Sequence, residues 1–201
     1  MMILRTSPAS PFGRKIKIAA SILGLDNQIK IEAADTNDPK DTLRRQNPVG
    51  KIPILMLEDG TAFYDSAVIL EYLDDRAGGG ILPRSGKERF LELTLASLGD
   101  GIMDALLLQV YENRYRPEEH RVQSWVEYQA DKVTRALAVL EKNPPPIGAK
   151  PQAGAIALAC ALGYMDLRFN GAWRKSYPKL VAWLDEFAER VPAFAKTKVE
   201  A

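Results

Sequence analysis

Residues 47–66 read NPVGKIPILMLEDGTAFYDS. Asn47-Pro48 and Gly50 break whatever precedes them. Ile52 to Leu57 is an apolar, strand-like run. Asp59-Gly60 is the pair favoured in a tight hairpin turn whose central residues both take positive φ. Thr61 to Tyr64 is the return strand. Asp65-Ser66 then stands directly before Ala67-Val68-Ile69-Leu70-Glu71-Tyr72-Leu73, whose apolar spacing is helical.

Two features of this stretch suggest a binding site. Pro53 has no N–H, so it belongs at the start or edge of a strand. A cis Ile52-Pro53 bond would turn the Ile52 backbone outward, where an extended peptide can pair with it as an added strand. Asp65-Ser66 falls at a helix N-terminus, where free N–H groups bind a carboxylate and Asp65 can bind an ammonium group. A small molecule with a peptide backbone and an α-amino acid end satisfies both.

Toward the N-terminus, Met2 to Arg5 is a short apolar strand. Ser10-Pro11 opens a helix, because Ser caps well and Pro suits the first helical position. Ile16, Ala19, Ala20 and Leu23 share its inner face, and Gly24 ends it. Gln28 to Ala33 alternates, predicting a second strand with Ile29, Ile31 and Ala33 on one side. A short helix is expected from Asp38-Pro39 to just before Asn47. The order βαβαββα implies a parallel pair of strands with an antiparallel hairpin added.

Toward the C-terminus, Ala77 to Pro83 is rich in Gly and reads as a linker. No strand is expected beyond it. Gly86 to Tyr115 is one long helix, with a possible bend near Gly99 and Gly101. Glu118 to Lys142 is another, with Trp125, Tyr128, Val133, Leu137 and Leu140 spaced for one face. Gln152 to Phe169 is apolar on all sides and predicts a buried central helix. Pro178 to Arg190 is the last clear helix, with Leu180, Val181, Leu184 and Phe187 inward. The boundaries are then 1–76, a linker at 77–84, and 85–201.

The formal net charge of +1 gives no reason to expect nucleic acid as a partner. No apolar run approaches about 20 residues, so no membrane span is expected. Cys160 is the only cysteine and His120 the only histidine. No intrachain disulfide or CxxC pair is possible, and a His-based metal site or a Ser-His-Asp triad is disfavoured. No metal is expected. With no leader-like N-terminal run, the expected compartment is the cytoplasm. Cys160, in the apolar helix, reads as a buried structural thiol.

NPVGKIPIL followed by YDSAVILEYLD resembles the glutathione site of the cytosolic glutathione S-transferase superfamily, and the similarity runs over essentially the whole chain. The resemblance implies an α+β two-domain fold: a thioredoxin-like βαβαββα domain, then an all-α domain. Ser10-Pro11-Phe12-Gly13 resembles the SPF segment of serine-type members such as the tau class. There the serine hydroxyl donates to the glutathione sulfur and favours its thiolate. Ser10 is the implied catalytic residue, with Ser7 as the alternative; a purely capping role for Ser10 is the structural reading. Ile52 and Pro53 are implied to pair with the cysteinyl backbone, and Asp65 and Ser66 to hold the γ-glutamyl end. Asp65 stands where many members have Glu. Lys51, and Arg44 or Arg45, are candidates for the glycyl carboxylate. Phe12, Met103, Leu107, Tyr111 and Arg114 are the expected walls of an acceptor pocket, with Tyr164 a further candidate.

Glutathione is thus the expected co-substrate, conjugated to a small hydrophobic electrophile, with a possible side activity toward peroxides. The alternatives are a non-catalytic binding or regulatory protein of the same fold, and a glutathione-dependent reductase. The absence of a cysteine near Ser10 disfavours the last. The family also implies a homodimer packed through the long helix and the last helix of the first domain, with Asp100 or Asp104 approaching the partner's site. One departure stands out. The family's Ser/Thr-x-x-Asp box opening the central helix is replaced here by Gln152 and Ala155; Gly148, Lys150 and Pro151 are the neighbours expected to compensate.

Overall fold

The computed structural model describes residues 1–199. A four-stranded mixed sheet has the order β2-β1-β3-β4, formed by β1 (Met2–Thr6), β2 (Ile29–Ala33), β3 (Ile54–Met56) and β4 (Ala62–Phe63). β1 and β2 are parallel, and both β1–β3 and β3–β4 are antiparallel. Helix α1 (Pro11–Ile22) makes the crossover, α2 (Leu43–Gln46) precedes β3, and α3 (Ser66–Arg76) follows β4. The rest is helical: α4 (Gly86–Tyr115), α5 (Gln123–Lys142), α6 (Ala153–Phe169), α7 (Pro178–Arg190) and α8 (Pro192–Lys196). This is the expected thioredoxin-like sheet followed by helices.

The centre of the molecule is α6, buried without interruption from Ala153 to Met165. α4 lies close along it. A Cβ at Gly99 would sit 2.8 Å from the Ala157 Cβ, so the glycine permits close packing of the two helices. α4 runs unbroken through Gly99 and Gly101. Contrary to the reading of the sequence, α4 is long and apolar enough by composition to cross a membrane, with a window of mean hydropathy 1.3. In this fold it packs against α5 and α6.

Other elements also differ from expectation, each for a local reason. The helix expected from Asp38 shrinks to Leu43–Gln46. Asp35, Asp38 and Asp41 turn their carboxylates onto the backbone N–H groups of Asn37, Lys40 and Leu43, an arrangement that competes with helix. In the hairpin only Gly60 takes positive φ, at +87°. The loop has three residues: Gly60 N–H donates to Leu57 O at 3.1 Å and Leu57 N–H to Thr61 O at 2.8 Å. β2 is an edge strand, and Ile31 is 56% exposed rather than inward. α5 begins at Gln123, after a 3₁₀ turn at Glu118–His120. Trp125 and Tyr128 face out and stack on each other at 5.8 Å, while Val133, Leu137 and Leu140 point inward. α8 was not anticipated. The segment after α3 is no loose tether: Ile81 is fully buried and its N–H donates to Asp74 Oδ1 at 2.8 Å.

Candidate active site

The sheet register gathers three segments at one edge. Arg5 pairs with Ile54, so the end of β1 lies beside the start of β3. Leu55 pairs with Phe63, so the end of β4 returns to the same edge. The chain therefore brings Ser10, Ile52-Pro53 and Asp65-Ser66 to one end of the sheet. The Ile52-Pro53 bond is cis, as is Tyr64-Asp65. Among the described residues, the N–H and C=O of Ile52 make no backbone hydrogen bond. Asn47 fixes the approach to this edge: its Nδ2 donates to Lys51 O at 2.9 Å, and its Oδ1 accepts from Val49 N–H at 3.0 Å.

Ser10 is the N-cap of α1, with extended φ and ψ, and its Oγ accepts from Gly13 N–H at 3.1 Å. Gly13 has no room for a side chain, since a Cβ would fall 1.9 Å from Thr6 Oγ1. The cap uses one acceptor site of the hydroxyl and leaves its proton available. Asp65 caps α3 in the same way, accepting from Ala67 N–H at 2.9 Å, and is exposed. Ser66 beside it is buried. Lys51 is exposed. Arg44 donates to Thr36 O and Asp38 O, which commits it to the loop before α2, and Arg45 is exposed.

The middle of α4 faces this edge. Lys15 of α1 is 1% exposed, and its Nζ reaches both carboxylate oxygens of Asp100, at 2.6 and 2.7 Å. Asp100 is therefore committed to its own chain. Desolvation raises its pKa, with Lys15 opposing and Asp65 adding to the rise. Desolvation likewise raises Asp104, with Lys51 opposing it and Asp100 and Asp65 pushing further. An acidic group thus lies around the N-terminus of α3, with Lys51 and Lys15 among it.

A cavity of about 520 Å³ borders Ser10, walled by Arg14, Cys160, Tyr164, Leu184 and Phe194. Ser7 does not line it. Of the expected acceptor walls, only Tyr164 does. Met103 is fully buried in the core, because its side of α4 packs on other helices. Phe12 and Leu107 are half-buried against the same core. Tyr111 stacks edge-on with Tyr115 at 5.1 Å, and Arg114 lies 5.9 Å over its ring. Burial raises the pKa of Tyr164. Arg168 and Arg114 oppose the rise and Tyr111 adds to it, so this α4 cluster lies within electrostatic reach of the cavity wall.

Two features escaped sequence reasoning. Tyr115 Oη donates to Asn37 Oδ1 at 2.8 Å, tying the end of α4 to the loop before α2. Arg14, four residues after Ser10, lines the cavity; the helical spacing of the two was the available signal. Cys160 is fully buried, and desolvation pushes its thiol pKa up to about 12, so it is not a reactive nucleophile.

A family model described as glutathione S-transferase, N-terminal domain, matches residues 4–80, and one for the C-terminal domain matches residues 110–186. An uncharacterized GST-like protein, YibF of Escherichia coli strain K12, is 32% identical, covering 98% of both chains. The crystal structure of a glutathione transferase family member from Pseudomonas fluorescens Pf-5, with bound glutathione, superposes with a TM-score of 0.93 at 40% identity and covers 100% of both chains. The same family member with bound S-(propanoic acid)-glutathione gives a TM-score of 0.88 at 40% identity, over 98% of this chain and 99% of that one.

Proposed function

The chain belongs to the glutathione S-transferase family, and we propose that it is a working transferase that activates the glutathione thiol for attack on a small electrophile. The observation that carries this reading is the state of Ser10. Its hydroxyl is fixed by Gly13 N–H, borders the cavity, and keeps its proton for a sulfur anion. That donor and the N-terminus of α1 both favour thiolate over thiol. A free thiol pKa near 8.5 needs a fall of only about two units to be mostly ionised at neutral pH.

The tripeptide is read as lying beside Ile52-Pro53, the unpaired segment that leads into β3. The Ile52 backbone pairs with its cysteinyl residue. Ser66 and the α3 N-terminus take the γ-glutamyl carboxylate, Asp65 takes the ammonium, and Lys51 takes the glycyl end. Holding both reactants supplies much of the acceleration. The inert Cys160 disfavours a reductase. A homodimer is proposed over the outer faces of α3 and α4, where Val68, Phe90 and Leu91 are 47%, 67% and 58% exposed. Light scattering tests it.

The decisive experiment pairs glutathione calorimetry with a chromogenic electrophile assay. Wild type binds and turns over; Ser10→Ala binds glutathione within about threefold but loses about tenfold or more in turnover, the worth of one charge-assisted hydrogen bond. Binding without turnover across a broad electrophile panel would favour a non-catalytic glutathione-binding protein, and no binding would end the proposal.

A further inference from the structure

Resting on that reading, we propose that the cavity beside Ser10 accepts an electrophile that carries a carboxylate, and that Arg14 holds that carboxylate. Ser10, the N-cap of α1, and Arg14, four residues on and about 6 Å further along the helix axis, both line the cavity. One cavity thus offers a donor for sulfur at Ser10 and a cation at Arg14.

Among the described residues, Arg14 is a buried cation without a counter-charge. It is 9% exposed and, among the described residues, makes no salt bridge, whereas Arg174, in the same cavity wall, pairs with Asp166. Nε donates to Thr197 Oγ1 at 3.2 Å and Nη2 to Phe194 O at 2.6 Å, both neutral acceptors. Nη1 has no hydrogen-bond acceptor among the described residues. It lies over Gly163, where a Cβ would come within 2.5 Å of it. The guanidinium carbon lies 4.0 Å over the Phe194 ring centroid. Position and plane are therefore fixed, while no described residue meets the charge.

The nearby acids do not meet it. Asp166 is taken by Arg174, at 2.9 and 2.6 Å, and by Trp173 Nε1 at 2.9 Å. Asp185 lies 3.8 Å from the same Arg174. Lys17, half-buried on α1, adds a second positive charge within range. Burial lowers the pKa of Arg14, with Cys160 and Asp166 opposing, as expected for a cation lacking compensation. Burying a charge without a partner is costly, and a planar fork against apolar walls suits a carboxylate. Tyr164 and Leu184 supply those walls.

The test is calorimetry with S-(2-carboxyethyl)glutathione and S-propylglutathione, which differ in the terminal carboxylate. Wild type is expected to bind the carboxylate conjugate about tenfold tighter, with the preference shrinking at high salt. Arg14→Gln is expected to erase the preference while holding S-propylglutathione within about threefold. Gly163→Ala, which keeps the charge but displaces Nη1, is expected to weaken it too. A wild type without preference, or a preference that survives in Arg14→Gln, overturns the inference and leaves the glutathione reading standing. If neither conjugate binds wild type, the glutathione reading itself falls, and this inference with it. Should Arg14→Gln not fold, Gly163→Ala and the wild-type salt series decide the matter.

Discussion

Glu92 of α4 accepts a hydrogen bond from the backbone N–H of Gly154, in the first turn of α6, at 2.5 Å. The central helix lacks the capping box common in its family, and none of its own residues supplies a side-chain cap. A neighbouring helix does so instead. The compensation expected from Gly148, Lys150 and Pro151 is thus traced to a residue far away in sequence. Gly154 is part of the device, since a Cβ there would sit 2.8 Å from Glu92 Oε1. Glu92→Ala is expected to cost about 1 kcal/mol, the usual worth of an N-cap. At this chain length that is a fall in Tm of about 2–4 °C. Adding Gln152→Ser restores a local cap and is expected to recover at least half of the loss. A Glu92→Ala protein as stable as wild type would show that the bond carries no weight.

The same residue gives a pH dependence of definite sign. Desolvation raises the Glu92 pKa above its ordinary 4.5, with the Gly154 N–H opposing. The folded state then holds this proton more tightly than the unfolded chain does. Glu92 contributes most to stability below the unfolded pKa, and the contribution declines as pH rises through the folded one. The stability of wild type minus that of Glu92→Gln is therefore expected to fall across the weakly acidic range. Urea midpoints for both proteins at a series of pH values measure it, and a difference that rises with pH contradicts the assignment.

Ser10 has two roles that one substitution can separate. Asp is as good an N-cap as Ser, so Ser10→Asp keeps an acceptor for Gly13 N–H. It removes the hydroxyl proton and places a negative charge where the thiolate would form. Tm is expected to stay within about 3 °C of wild type, roughly 1 kcal/mol, while turnover falls at least as far as in Ser10→Ala. The thiol pKa of bound glutathione, followed by ultraviolet absorbance, is expected to rise. Full turnover in Ser10→Asp would reduce this serine to a cap.

The difference between what was legible in the chain and what was not follows the range of the interactions. The caps at Ser10 and Asp65, the Pro53 strand start and the wholly apolar α6 are local, and each was readable from a few adjacent residues. The gathering of Ser10, Ile52 and Ser66 at one end of the sheet was implied by the family resemblance; the connectivity alone gave a parallel pair and a hairpin, not the strand order that brings them together. The partner of an apolar stripe was not readable. Met103 and Tyr164 look alike in sequence, yet one is sealed in the core and the other lines the cavity. Trp125 and Tyr128 have core spacing but satisfy each other outside it. Glu92 and Arg14 bond to partners 62 and 180 residues away, which their own neighbourhoods do not specify.

The Lys15–Asp100 pair makes the last prediction. Its two members differ in burial: the Lys15 side chain is 1% exposed and that of Asp100 is 21%. Removing one partner of a buried pair leaves the other as an unpaired charge, and the cost depends on whether that charge can reach water or shed its ionisation. In Asp100→Asn the ammonium of Lys15 is stranded in a dry site between α1 and α4. A loss of about 3 kcal/mol or more is expected. In Lys15→Met the stranded group is Asp100, which keeps some solvent contact and whose pKa burial already raises, so it can protonate. The loss there is expected to be smaller. Lys15→Met combined with Asp100→Leu removes both charges and packs the seam with hydrocarbon. Its stability is expected to return toward wild type, well above the sum of the single losses. Urea denaturation of the three variants gives the coupling directly. If the two single losses simply add in the double variant, the residues do not act as a pair, and the charge balance between α1 and α4 must be drawn from other groups.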